Sequence, residues 1–597
     1  MLHFAEYKKK LNGCFIGKTV GGTLGMRYEG DINVHEISYY DPVPTEMVAN
    51  DDLDLQVVNL ETLLHKGLPV SRFHLGDNWR FHTADSNPDE YGTAASNHRM
   101  YINAPLSGMY RNAFTCGMGG AIRSEMWACL APANPALAAT LAKEDGCTDH
   151  SEDGLYAEMF LAALESAAFV ETDIKKLVQT GLRYVAKTSR LYNAFSDVIQ
   201  TYENTHDVLA TRKVVLENYY SDNWTDVIIN LSFILLSLLA CEGDFSKAIC
   251  TATSLGYDAD CTAATVGAIM GIICPDGIEE RWTAPIGDLL VISANVINVH
   301  ADKTIGDFCE TLMSAAAIVQ QYYNAVTVDG LTNFKGVKMP KPWTENYVEL
   351  YNWEVGDKQS VLTHTPFTAI LQYPETIALV PEKETEYALK IINTNGFDIV
   401  GEIDLQLPYG FTINKETLVF KAAANQTVML PFTVRAEKTK RRQQLNMLTL
   451  ACKVNGLMFS MQANLPLSRQ WQVEDKDGNI SYFENGSSYF AIPKGAFTYK
   501  IRINSTTDRQ ARISCACTRP HTLKVNGKEV YRCDGTTYVP AYHRDGDNPK
   551  VDFKWGMNNI EIVFPEHAEG KLFFGVGTIY NCAEWVDYME YYALDKR

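Results

Sequence analysis

Apolar positions along the chain change their period once. Up to about Ala325 they recur every three or four residues; within 154–170, Leu155, Met159, Ala162, Ala163 and Ala167 fall on one helical face. Residues 228–241 and 261–274 follow the same rule. The second run carries Gly267 and Gly271 four apart before Pro275 ends it. This predicts an all-α first domain over residues 1–325, long enough for one sizeable core. Residues 326–375, with Pro340, Pro342, Pro366 and Pro374 among aromatics, read as an irregular connector. From about Ile377 the period is two. Runs beginning at Tyr387, Glu402 and Thr427 alternate between Asn, Gly and Pro turns, which predicts a small antiparallel sandwich over 376–468. The basic run Lys438–Arg442 reads as a solvated hairpin loop within it. A second all-β unit over 469–597 has an Asn526-Gly527 type I′ hairpin signal and a turn at Gly556 leading into Ile560–Phe564.

Composition narrows the function. Acidic residues number 72 against 53 basic in 597, a net charge of −19, and that field repels phosphate backbones, so no nucleic-acid partner is expected. No apolar run is long enough to span a bilayer; 228–241 is interrupted by Asn230, Ser232 and Ser237. The N-terminal stretch lacks an apolar core followed by a cleavage site, so a cytoplasmic location and no membrane partner are expected. The 14 cysteines are scattered and read as reduced core residues.

Four elements carry candidate chemistry. Gly13, Gly17, Gly21, Gly22 and Gly25 precede Glu29; glycines four apart on a helix signal close helix packing, but they do not account for the glutamate. Asn50-Asp51-Asp52-Leu53-Asp54 leads a helical run, where carboxylates also suit a helix start. Gly117-Met118-Gly119-Gly120-Ala121-Ile122-Arg123 is a glycine-rich loop able to bring backbone N–H groups near a sugar or phosphate. Asp258-Ala259-Asp260-Cys261 enters a second helix. Four carboxylates brought to one point repel unless protonated or bound to cations, and hard cations such as Mg²⁺ match that ligand set.

These motifs, in this order over roughly residues 8–325, resemble the ADP-ribosylglycohydrolase family. The glycine run with Glu29, the pair Asp51-Asp52 after Asn50, the loop Gly117–Arg123, His150 before a helix and Asp258-x-Asp260-Cys261 each match a family motif. The resemblance implies an all-helical domain with two Mg²⁺ ions in a cleft. Asn50, Asp51, Asp52, Asp258, Asp260 and Cys261 would be the metal ligands, with Glu29 and Asp52 catalytic. Gly117, Gly119, Gly120, Arg123 and His150 would line the substrate pocket. It further implies hydrolysis of an N- or O-glycosidic bond of a ribosyl, ADP-ribosyl or other furanosyl substrate. Two departures carry physical weight. Cys261 puts sulfur where a hard cation prefers oxygen, and Met118 offers no hydrogen bond to an ADP moiety.

The β units resemble the immunoglobulin-like spacers and lectin-like jelly-roll modules found beside glycoside hydrolases. The expected fold is therefore a multidomain chain, an all-α ADP-ribosylglycohydrolase-like domain followed by immunoglobulin-like and jelly-roll-like β-sandwiches. Such modules favour a small-molecule or glycan substrate, and they suit oligomer interfaces equally. The competing reading is a non-catalytic ADP-ribose or sugar binder that keeps the pocket. Glu29, which such a binder is free to lose, is present.

Overall fold

A glycine stripe on the first helix meets a small-residue stripe 250 residues away. In the computed structural model, which describes residues 1–83, 89–331, 358–535, 548–577 and 590–594, helix α1 (Phe4–Gly25) lies against a late helix. Between them in sequence comes α2 (Asp51–Lys66); the late helix is α3 (Ala259–Ile273). Gly13 faces Gly271, Gly17 faces Gly267, Gly21 faces Ala263 and Gly25 faces Ala259, an antiparallel pairing. A Cβ at any of these four α1 glycines would stand within 3.0 Å of the opposing carbonyl oxygen. No other residue fits so close an approach of two backbones.

This pair lies inside a helical unit made of residues 1–84 and 115–355. The helices Ser124–Leu130, Glu152–Ala168, Val227–Ala240 and Ile305–Tyr322 are among those that build its core around Phe15, Trp127, Phe160, Leu235 and Phe308. The short strand Val328–Asp329 pairs in parallel with Leu2–His3. Among the described residues no helix is long and apolar enough to cross a membrane. All described cysteines are unpaired, and most are buried.

The second unit comprises residues 85–114 and 356–597. The helical domain expected over 1–325 is therefore not continuous: residues 85–114 belong to the second unit. Ile102, Leu106 and Tyr110 join the core of the first β-sandwich, and the Asn103 N–H donates to Ser360 Oγ at 2.9 Å. A helical period shows that a face is buried, not which core buries it. The expected connector over 326–375 is corrected as well. Gln359–Thr363 and Thr368–Gln372 are strands of a five-stranded sheet that continues through Glu384–Ile392 and Thr427–Ala436. Pro340, Pro342 and Cys582 lie outside the described residues.

A four-stranded sheet closes the first sandwich; its strand Ile399–Gln406 alternates buried and exposed at every residue. The second sandwich sets a larger antiparallel sheet over a four-stranded one, around Trp471, Tyr499, Ile501, Ile562 and Phe574. Asn526 and Gly527, both at positive φ, form the expected tight hairpin turn. The basic run does not end as a solvated loop: Arg441–Arg442 pairs with Tyr591 and Tyr592, and Arg442 is buried against Glu484 at 3.0 Å. A charged pair satisfied by a partner far along the chain leaves no local signature.

Replacing Gly17 or Gly21 by alanine forces the α1–α3 backbones apart. Each substitution is expected to lower the unfolding free energy in urea by about 1–3 kcal/mol, the range for overpacking. Gly306→Ala, where an added Cβ has only Thr304 Oγ1 nearby at 3.7 Å, is expected to stay within about 0.5 kcal/mol of the wild type.

Candidate metal centre and active site

The antiparallel crossing sets the C-terminal end of α1 beside the N-terminal end of α3. The chain that leaves α1 through Glu29 is then tied to the turn before Asp258. The Gly30 N–H donates to the Tyr257 carbonyl, and the Tyr257 N–H to the Asp31 carbonyl, both at 2.8 Å. Gly256 (φ +73°) and Tyr257 (φ +67°) turn the chain in the left-handed region, and Gly256 packs on the carbonyls of Asp31 and Asn33. Asp258 follows as the residue capping α3, its N–H donating to Asn230 Oδ1 at 3.2 Å.

The first acidic cluster arrives on α2. Asn50 caps this helix, its Oδ1 accepting from the Asp52 N–H at 2.8 Å; the oxygen expected to bind metal is thus engaged in the cap. Gly22 lets Asn50 approach α1, since a Cβ there would lie 2.6 Å from Asn50 Nδ2. Asp54 accepts from the Ser293 N–H at 3.1 Å and from its hydroxyl, anchoring the 293–296 turn. Asp51 opens to solvent, and Asp52 is buried.

Carboxylates 200 residues apart therefore meet. Asp52, Asp260 and Cys261 each present a ligand atom, all within 4.8 Å of one another. Both oxygens of Asp52 and Oδ1 of Asp260 are buried and make no hydrogen bond among the described residues. Lys18, also buried, stands 3.9 Å from Asp52 Oδ1. Orphaned carboxylate oxygens in a dry site are costly as free anions and suit a bound cation, so the donor set fits a metal ion.

Electrostatics give the same picture. Burial, then Glu29, Asp258, Asp52 and Asp51, pushes Asp260 far above the ordinary carboxylate range. Asp258 is raised by burial and Glu29. Burial raises Asp52, and Lys18 partly offsets it. Asp51 is pushed up to about 8 by the protein around it and by Asp52, Glu29 and Asp54, though its solvent contact screens part of that effect. Glu29, exposed at the rim, is raised by partial burial and by Asp52. Cys261 is held as a neutral thiol by burial and by the neighbouring aspartates.

Two residues expected to line the substrate pocket do something else. Arg123 is fully buried; its Nε donates to Asp145 at 3.0 Å, and Nη1 and Nη2 donate to Asp149 at 2.9 and 2.8 Å. His150 is buried too, with Nδ1 2.8 Å from Asp149 and Nε2 accepting from the Gly120 N–H at 3.3 Å. Against the effect of burial, Arg123 and His150 hold Asp149 well below the usual carboxylate range. Gly117, Gly119 and Gly120 are buried with them: Gly119 accepts from Arg123 Nη1 at 2.8 Å, and Gly117 bridges to Asp226. The loop is thus clamped from beneath by a charge network. Beside the carboxylates a hollow reaches Lys18 and Asp52 between Met47, Val48, Leu289 and Ile305. Lys18 and Ser293 were missed from sequence.

The ADP-ribosylglycohydrolase family model matches residues 4–316. A solved structure described as an ADP-ribosylglycohydrolase-related protein complex is 19% identical, with a TM-score of 0.37, over 53% of this chain and 99% of its own. An anti-sigma factor domain-containing protein from Clostridium clariflavum (8% identity, TM-score 0.15) covers 32% of this chain and 79% of its own. An α-L-rhamnosidase from Aspergillus terreus (10% identity, TM-score 0.15) covers 34% and 26%. No curated protein gives a match.

The raised carboxylates fix a sign. They hold protons more tightly folded than unfolded, so the metal-free protein binds more protons when folded between the ordinary value near 4 and about 8. Its stability therefore falls as pH rises across that window. In thermal melts with chelator, Tm is expected to fall from pH 5 to pH 8, and a divalent cation added at pH 8 to restore it. A flat profile contradicts the clustering. Asp260→Asn is expected to raise the Tm of the metal-free protein while abolishing the cation-induced rise. Arg123→Met is expected to cost roughly 3–5 kcal/mol by stranding two buried carboxylates; normal stability with an altered KM would return Arg123 to the pocket.

Proposed function

Because this chain belongs to the ADP-ribosylglycohydrolase family, a family of glycohydrolases, we propose that it hydrolyses an N- or O-glycosidic bond of a ribosyl or other furanosyl substrate in a Mg²⁺-dependent reaction. The observation that carries this reading is the meeting of Asp52 and Asp260, with unpartnered buried oxygens, near enough to an exposed Glu29 for its charge to raise Asp260. Mg²⁺ would be held by Asp52 and Asp260, with Asp51 and Asp258 beside them, and there supplies the positive charge that orders sugar hydroxyls and acidifies water.

Everything else falls to the chain's own groups. Glu29, raised above its ordinary range and open to solvent, accepts the proton of the attacking water. The water oxygen bonds to the anomeric carbon, the glycosidic bond breaks, and the departing nitrogen or oxygen takes up a proton, which Glu29 can return. The Asn230 amide and the Gly30–Tyr257 pairing fix Asp258 and Glu29 relative to each other. The hollow's apolar side is formed by Met47, Val48 and Leu289. Met118 is buried in the core, so its side chain does not choose between an ADP moiety and a smaller furanosyl or glycan end.

The test is a hydrolysis screen of the full chain across ADP-ribosyl and furanosyl glycosides, with Mg²⁺ and with chelator. Chelator-sensitive release of a furanose is expected, and Glu29→Gln is expected to lower kcat by about 10²–10⁴-fold, the usual scale of general acid–base catalysis, while retaining cation binding. Turnover indifferent to chelator and to Glu29→Gln contradicts the proposal. Tight ligand binding without turnover supports the non-catalytic alternative.

A further inference from the structure

The cleft contains a cation of its own. Lys18 is the only charged residue between Leu11 and Gly25, and it is 1% exposed. Its Nζ donates to Glu125 Oε1 at 2.8 Å and to the Ile122 carbonyl at 3.1 Å, and stands 3.9 Å from Asp52 Oδ1. Two of its three N–H groups are thereby used, and among the described residues Asp52 is the other carboxylate within 4.0 Å of the ammonium. The ion pair cannot swing away. Gln56 Nε2 donates to the other Glu125 oxygen at 2.9 Å and to the Asp52 carbonyl at 3.1 Å, and the Met126 N–H donates to Gln56 Oε1 at 3.1 Å. Lys18 and Glu125 thus form a fixed dipole with its ammonium end presented to Asp52.

We propose that Lys18 takes the place of one of the two divalent ions expected from the sequence, so that the centre binds a single divalent cation between Asp52 and Asp260. The ammonium neutralises one side of Asp52 permanently and repels a second divalent ion from that side, because like charges a few ångströms apart interact strongly in a poorly solvated site. Of the three ligand atoms that lie within 4.8 Å of one another, the third is the buried sulfur of Cys261, a poor donor to Mg²⁺. Lys18 is a positioning residue here, acting on the reaction only through Asp52. The inference rests on reading the cleft as a cation site.

Its test counts ions. Equilibrium dialysis of the full chain against millimolar Mn²⁺, with metal and protein measured independently, is expected to give one bound ion per chain. Two ions of comparable affinity overturn the single-ion proposal and leave the metal reading intact; no bound ion overturns both. Lys18→Met alone strands Glu125, so the charge-balanced pair Lys18→Met with Glu125→Gln is the informative variant. With Asp52 no longer neutralised, it is expected to bind Mn²⁺ about tenfold more tightly or to take up a second ion. Wild-type stoichiometry and affinity in a folded double variant contradict the role of Lys18. Should that variant not fold, the wild-type count decides.

Discussion

The approach of two helix backbones governs this protein's chemistry. Along α1 and α3, small residues repeat every four positions and face one another, so the carbonyls of one helix sit where side chains would otherwise be. Because the pair runs antiparallel, the end of one helix and the start of the other are held at the same level. Glu29, just beyond Gly25, and Asp258 and Asp260, astride the start of α3, are therefore neighbours by construction. The reciprocal hydrogen bonds between Gly30, Asp31 and Tyr257 then remove the remaining freedom of the connecting chain. Asp52 joins them because Gly22 admits Asn50 against α1.

That geometry creates an electrostatic problem which the rest of the helical unit manages. Several carboxylates converge where water is scarce, and charges buried without partners are strongly destabilising. Lys18 relieves Asp52 from the inner side. A separate buried set, Arg123 with Asp145, Asp149 and His150, fixes the glycine loop without touching the carboxylate cluster directly. The two networks lie on either side of the segment Ala121–Leu130: Lys18 and Gln56 bind the Ile122 carbonyl on one side, and Arg123 reaches Asp145 on the other. The first leaves both Asp52 oxygens without a hydrogen bond among the described residues; the second ties Arg123 to Asp145 and Asp149 and holds the glycine loop.

Much of this was legible in the residues. Helical and strand periods located the change of architecture, the glycine stripes announced close packing, and the two Asp pairs announced a shared centre. Asn526-Gly527 forms the turn its backbone preferences demand. What sequence could not show was partnership. Arg123 and His150 read as pocket residues because a family motif includes them, but only the fold reveals that Asp149 binds both from below. Lys18 was hidden for the same reason, though a single charge inside the uncharged stretch Leu11–Gly25 is a signal that buried pairing is at work. Ile102, Leu106 and Tyr110 fall within the stretch expected to be helical, yet they serve the core of a sandwich whose strands come about 250 residues later.

The central claim is spatial: Asp52 and Asp260 share one cation. Crystals of the full chain grown with Mn²⁺, with anomalous diffraction recorded above and below the Mn absorption edge, test it most directly. The account predicts an anomalous peak in contact with carboxylate oxygens of both residues. A peak bound to only one of them, or ordered Asp52 and Asp260 side chains with no peak beside them at saturating Mn²⁺, would contradict it.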